Sequence, residues 1–100
     1  MERTKLSTEA LLILVSLADA PKHGYAIQQD VALVSGRRLG PGTLYGAIAR
    51  LESGGLIEAL SNGGPRRPYR LTSPGAKQLG AELESLKRLT RTGTRRLASR

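Results

Sequence analysis

The chain has no cysteine, which excludes disulfides and thiolate metal sites, and its one histidine, His23, cannot assemble a metal cluster by itself. Phenylalanine and tryptophan are absent too, and there are three tyrosines, so any core must be built from Leu, Ile, Val and Ala. Acidic side chains are scarce: 8 Asp plus Glu stand against 16 Lys plus Arg, a formal charge of +8. Such a surplus points to a polyanionic partner or an anionic membrane surface, and nucleic acid is the commoner case. The longest apolar run, Ala10 to Val15, is too short to cross a bilayer.

What is present fits one domain. One hundred residues with 39% apolar content can bury a modest core, and self-association would bury more. The charge is uneven: residues 51–100 carry 10 basic and 4 acidic side chains, so +6 of the +8 lies in the second half.

Near the N-terminus, Arg3 and Lys5 precede the apolar run and then Ala18-Asp19-Ala20, an imitation of a secretory signal. Ser7 or Thr8 followed by Glu9 reads instead as a helix cap with a favourable first-turn charge, and absence of cysteine fits a cytoplasmic protein. A first helix is expected over residues 8–20, apolar around so much of its circumference that it needs cover from more than one side. After Pro21-Lys22, His23-Gly24 opens a second helix with Ile27, Val31 and Val34 facing inward and Gln28, Gln29 and Asp30 largely outside.

Ser35-Gly36-Arg37-Arg38-Leu39-Gly40 supplies the turn of a helix-turn-helix, placing Arg37 and Arg38 at the entrance of the third helix, where phosphate contacts fix register. That helix starts at Gly40-Pro41 and stops at Gly54-Gly55. Leu44, Ala47, Ile48 and Leu51 share its core face, while Thr43, Gly46, Ala49, Arg50 and Ser53 spread over the other. Small residues, hydroxyls and one Arg make a surface that another rigid body can approach closely, and a major groove about 12 Å wide accepts such a helix.

Beyond it, Leu56 to Leu60, a turn cluster from Ser61 to Arg67, and Pro68-Tyr69-Arg70-Leu71-Thr72 predict a hairpin with Arg66, Arg67 and an outward Arg70 on one ribbon. A last helix restarts with Ser73 as its cap, and Ala76, Leu79, Leu83 and Leu86 form a two-heptad seam. Its expected use is packing against a first helix, giving Leu11, Leu12, Leu14, Val15, Leu79, Leu83 and Leu86 as dimer-interface candidates. Past Leu89 the periodicity dissolves and a disordered basic tail is expected over residues 91–100.

The order of elements, mainly α with a small β-hairpin, is that of a winged helix-turn-helix with an added C-terminal helix. The chain resembles the PadR family, named for regulators of phenolic acid decarboxylase. The matching residues are His23-Gly24-Tyr25, Gly42-Thr43-Leu44-Tyr45, Arg50-Leu51-Glu52 with Gly55-Leu56-Ile57, and Tyr69-Arg70-Leu71-Thr72 with Gly75. The resemblance implies a winged-helix domain over residues 1–72 and a dimerisation helix over 73–90, as in the short subfamily. It further implies a homodimeric DNA-binding transcription factor, usually a repressor, acting on a near-palindromic operator with its third helix in the major groove and its wing on the flanking backbone or minor groove.

Thr43, Tyr45 and Arg50 are the reading contacts that the resemblance carries over, with Gly46 and Ala49 on the same face and Arg66 and Arg67 for the wing. Tyr45 is read as half core, half phosphate ligand, and His23 and Tyr25 as fixing the start of the second helix. Gly46 stands where the family commonly has Pro, and Pro68 where it has a basic or aromatic residue. Family members are often released from DNA by a small-molecule effector, which this sequence does not identify. No cofactor, metal or membrane partner is expected.

Catalysis lacks a constellation: Gly36 to Thr43 imitates a phosphate loop, but no Lys follows its last Gly and no carboxylate pair is placed for a metal. The competing readings are a winged-helix module that binds protein and a sequence-independent nucleic-acid binder.

Overall fold

The computed structural model describes residues 5–60 and 67–100. In chain order these form α1 (Thr8–Leu17), α2 (Gly24–Ser35), α3 (Pro41–Ser53), β1 (Ile57–Ala59), β2 (Tyr69–Leu71) and α4 (Ser73–Ala98). Helices and a two-stranded antiparallel ribbon in this order make a winged helix with a long C-terminal helix.

Ser7 caps α1, its hydroxyl accepting from the Ala10 amide at 3.1 Å, with Glu9 in the first turn. Ala10, Ile13, Leu14 and Leu17 point into the core, and Leu11, Leu12 and Val15 are half-buried beside it. Leu14, grouped by sequence with partner-facing residues, is fully buried within its own chain and leaves that set. Leu79 of α4 leaves it for the same reason.

In α2, Ile27 and Val31 are inward as expected, but two neighbours exchange roles. Val34 is 61% exposed, whereas Gln28 is buried and donates from its side-chain amide to the Leu39 carbonyl at 2.6 Å. The reason is the turn. Leu39 is itself a core residue, and seating it brings its backbone carbonyl inward, where it needs a donor that a valine cannot supply. Gly36 ends α2 at φ 74°, a conformation that side chains with a Cβ rarely adopt.

Gly40 in extended conformation and Pro41 at the first helical position launch α3. Its inward face is Leu44, Ala47, Ile48 and Leu51. Burying each of the larger three is worth about 1.5–3 kcal/mol, which anchors the helix by one side and leaves the other in water.

In the ribbon Ile57 faces Leu71, Glu58 faces Arg70 and Ala59 faces Tyr69. The α1–α2 connection adds a further rung: the Lys22 amide donates to Tyr69 O at 3.1 Å, and the Tyr69 amide to Lys22 O at 2.9 Å. Thr72, rather than the expected Ser73, caps α4: its hydroxyl accepts from the Gly75 amide at 3.1 Å and donates to Gly55 O at 2.6 Å. The second bond explains the choice, because it ties the cap to the end of α3.

Helix α4 does not end near Leu89. It runs to Ala98, so residues 91–98, expected to be disordered, are helical. Interior Thr and Gly lower helix propensity by about 1 kcal/mol or less per residue and are not stops, no Pro interrupts, and Arg95 and Arg96 in the last turn complement the helix dipole.

Candidate nucleic-acid interface

The outward face of α3 carries Thr43, Tyr45, Ala49 and Arg50, all exposed, with Gly46 half-exposed between them. The Arg side of the helix therefore faces solvent rather than the interior. Gly46 lies under the Arg50 side chain: a Cβ built there would stand 3.5 Å from Arg50 Nη1, an ordinary contact. Tyr45 is 49% exposed, and the hydroxyl end of its ring lies against Gly24 at the start of α2. His23 occupies the N-cap position of α2 but makes no side-chain cap bond, and Tyr25 is exposed, its hydroxyl accepting from Gln29 Nε2 at 3.3 Å.

The flanking cations are exposed or half-exposed, and several have partners that the sequence reading missed. Arg37 pairs with Glu9 at 3.3 Å, joining the turn before α3 to the start of α1. Arg70 forms a charge-assisted hydrogen bond from Nε to Glu58 at 3.0 Å, across the ribbon. Arg67 lies 5.8 Å from the centroid of the Tyr69 ring and 3.9 Å from Glu52, and its guanidinium is held further on the charged side by the Tyr69 hydroxyl and then by Glu52. Arg38 and Arg50 have no ion-pair partner among the described residues. Arg66 lies outside the described residues. The Glu58–Arg70 pair was legible in principle, since opposite charges at facing positions follow once the hairpin register is known; the Arg37–Glu9 pair, 28 residues apart, had no such signal.

Arginines thus stand on the elements before and after α3: Arg37 and Arg38 in the turn that leads into it, Arg67 and Arg70 on or beside the ribbon that follows. Surface ion pairs of this kind contribute about 0–1 kcal/mol, so a phosphate can displace or share each arginine. Beside Arg50 a cleft of about 410 Å³ opens, floored by Leu6, Ala10, Ala47, Leu51 and Leu56, with Lys5 at its rim. Among the described residues no group of three or more His, Cys, Asp or Glu could hold a metal, and no helix is long and apolar enough to cross a membrane.

Comparisons with known proteins agree with this geometry. Residues 13–81 match the model of the Transcriptional regulator PadR-like family. Over 80 residues the chain is 50% identical to an uncharacterized 37.1 kDa protein in transposon TN4556 of Streptomyces fradiae, covering 80% of this chain and 23% of that one. Over 84 residues it is 37% identical to the transcriptional regulator Rv3488 of Mycobacterium tuberculosis, covering 81% of this chain and 78% of that protein. Among solved structures, a PadR family transcription regulator from Clostridium difficile R20291 superposes with a TM-score of 0.78 at 27% identity, over 91% of this chain and 99% of the other. A PadR-like transcription factor from Bacteroides fragilis gives 0.73 at 29% identity, over 86% of each. The outward α3 face, the flanking arginines and these relatives lead to one statement: the chain belongs to the PadR-like family of transcriptional regulators, which are DNA-binding regulators and not enzymes.

Proposed function

We propose that the chain is a cytoplasmic repressor that binds a near-palindromic operator as a homodimer, with α3 in the major groove and the ribbon on the flanking backbone or minor groove. The observation that carries this reading is the division of α3: four core residues on one side, and on the other an exposed strip of Thr43, Tyr45, Gly46, Ala49 and Arg50 slim enough for a groove. Arg50 is the base-reading cation, since Arg pairs in bidentate fashion with guanine, and Arg37, Arg38, Arg67 and Arg70 contact phosphates.

Dimerisation is supported by unspent apolar surface. On α4, Leu83 is 45%, Leu86 37%, Leu89 68% and Leu97 65% exposed, and on α1 Leu11, Leu12 and Val15 remain half-open. A 10.7 kDa chain gains most by covering such surface with a second copy.

Selection of bound sequences from random duplexes by the purified chain tests the reading. The expected product is a near-palindrome with half-sites about 34–36 Å apart, and sedimentation equilibrium is expected to give twice the chain mass. Recovery of no motif would leave sequence-independent binding in its place.

A further inference from the structure

Residues after Glu84 include six cations, Lys87, Arg88, Arg91, Arg95, Arg96 and Arg100, and no acid, which is +6 of the chain's +8. Because α4 continues to Ala98, five of the six occupy fixed places on a helix rather than a loose tail. At about 100° per residue, Arg88, Arg91 and Arg95 fall on one ridge opposite Leu79, Leu83, Leu86 and Leu97. Ser85 and Thr92, seven residues apart, lie along the flank of that ridge. The three arginines are exposed, and none has an ion-pair partner among the described residues, unlike Arg37, Arg67 and Arg70.

Glu84 stands one turn before Arg88 on this ridge, but no acid follows it, whereas a solubilising face keeps mixing both signs and has no need of Arg over Lys. Complementing the helix dipole explains Arg95 and Arg96 in the last turn but not Arg88 or Arg91, which lie further in. From Arg88 to Arg95 the ridge spans about 10.5 Å at 1.5 Å per residue, and duplex DNA presents one negative charge per about 1.7 Å of axis to such a row. Hydroxyls beside guanidinium groups are the side chains that meet phosphate oxygens. A membrane surface fits less well: Thr90 and Gly93 interrupt the leucine stripe that would enter the lipid, and that stripe is the one a second copy of the chain would cover.

We propose that the Arg88–Arg91–Arg95 ridge of α4 is a second DNA-contacting surface, separate from α3 and the ribbon, that binds duplex phosphates without reading sequence. It rests on the DNA-binding reading above for the nature of the polyanion alone. Whatever covers the leucine stripe, a ridge on the far side of the helix stays in water.

The test measures affinity of the full chain for a motif-free duplex of about 30 base pairs between about 50 and 300 mM salt, as wild type, as R88Q/R91Q/R95Q and as R88K/R91K/R95K. At about 0.9 per phosphate released, the Gln variant is expected to flatten the slope of log affinity against log salt by about 2–3 per protomer, while the Lys variant keeps it. S85E/T92E, which retains the arginines but neutralises them within one turn, is expected to flatten the slope as well, and it keeps the test decisive if the Gln variant loses helix by circular dichroism. Slopes equal to wild type in both neutralised variants would overturn the proposal. So would an unchanged DNA slope with loss of binding to phosphatidylserine vesicles, which would assign the ridge to a membrane. The two readings fail separately, since sequence selection tests α3 and the motif-free slope tests α4.

Discussion

Gly24 lies directly beneath the ring of Tyr45: a Cβ built on Gly24 would stand 2.8 Å from both Cε1 and Cζ of that ring and closer still to its hydroxyl. The first residue of α2 and a residue on the outward side of α3 are therefore fitted to each other.

Gly24→Ala is expected to force the Tyr45 ring aside and cost about 1–3 kcal/mol, the range for overpacking. The check is urea denaturation of Gly24→Ala, Tyr45→Ala and the double variant. Once the ring is gone the three closest clashes of the added methyl go with it, so the double variant is expected to lose clearly less than the sum of the singles.

Glycines elsewhere separate into two classes by what surrounds them. A Cβ on Gly75 would approach the Leu56 carbonyl carbon to 3.0 Å and its oxygen more closely, and backbone cannot step aside. Gly75→Ala is expected to cost about 3 kcal/mol or more. Gly80, with nothing within 4 Å, and Gly46, with Arg50 at an ordinary 3.5 Å, lie inside helices, so Ala at either is expected to raise stability by about 1 kcal/mol. Thermal melts of the three variants decide the ordering. If α3 enters the groove closely at Gly46, Gly46→Ala loses DNA affinity while its melting temperature rises.

Arg50→Ala is expected to relax base preference at one position of each half-site at a cost of about 1–3 kcal/mol, whereas Arg38→Ala weakens all sequences alike and lowers the salt slope by about 1. Competition binding with selected and singly altered duplexes distinguishes the two.

Much of this was legible in the chain. Gly40-Pro41 and Gly54-Gly55 marked the ends of α3, and the Tyr69–Leu71 alternation marked the ribbon, because turn chemistry and side-chain period are local. Gln28 and Val34 were misassigned because helical period fixes which residues share a face, not where on the circumference neighbours leave a gap or a carbonyl. Ser73 was preferred to Thr72 as a cap because the deciding partner, Gly55 O, is 17 residues away. The end of α4 was set too early because a Thr-rich, Gly-containing stretch reads as a breaker when it only weakens a helix. Leu14 looked like surplus apolar surface because nothing in a sequence says how large its own core is.

Glu58 holds Arg70 across the ribbon, so Glu58→Gln is expected to release that guanidinium to phosphate. Non-specific DNA affinity is expected to rise about two- to fivefold at low salt, with the gain fading as salt increases. Anisotropy titrations at two salt concentrations check this, and Glu58→Gln in an Arg70→Gln background is expected to gain much less.

The Lys22 ammonium, hydrogen-bonded at 2.7 Å, holds the Asp19 carboxyl below its ordinary value of 3.8. A carboxyl lowered in the folded state contributes stability above its unfolded pKa and loses it as pH falls through the folded value. Asp19→Asn is therefore expected to lower the melting temperature slightly at pH 7, the difference from wild type shrinking as pH falls below 3.8 and through the folded value.

The pair of backbone bonds between Lys22 and Tyr69 splices the α1–α2 connection onto the side of the ribbon. A two-stranded hairpin is marginal by itself, and here its base becomes three-ply. The wing cannot hinge there without dragging the residue two places before Gly24. If the ribbon holds flanking DNA and α3 enters the groove as proposed, torque on the ribbon from a bent duplex would be delivered to the seat on which Tyr45 rests, and the two contacts would adjust together.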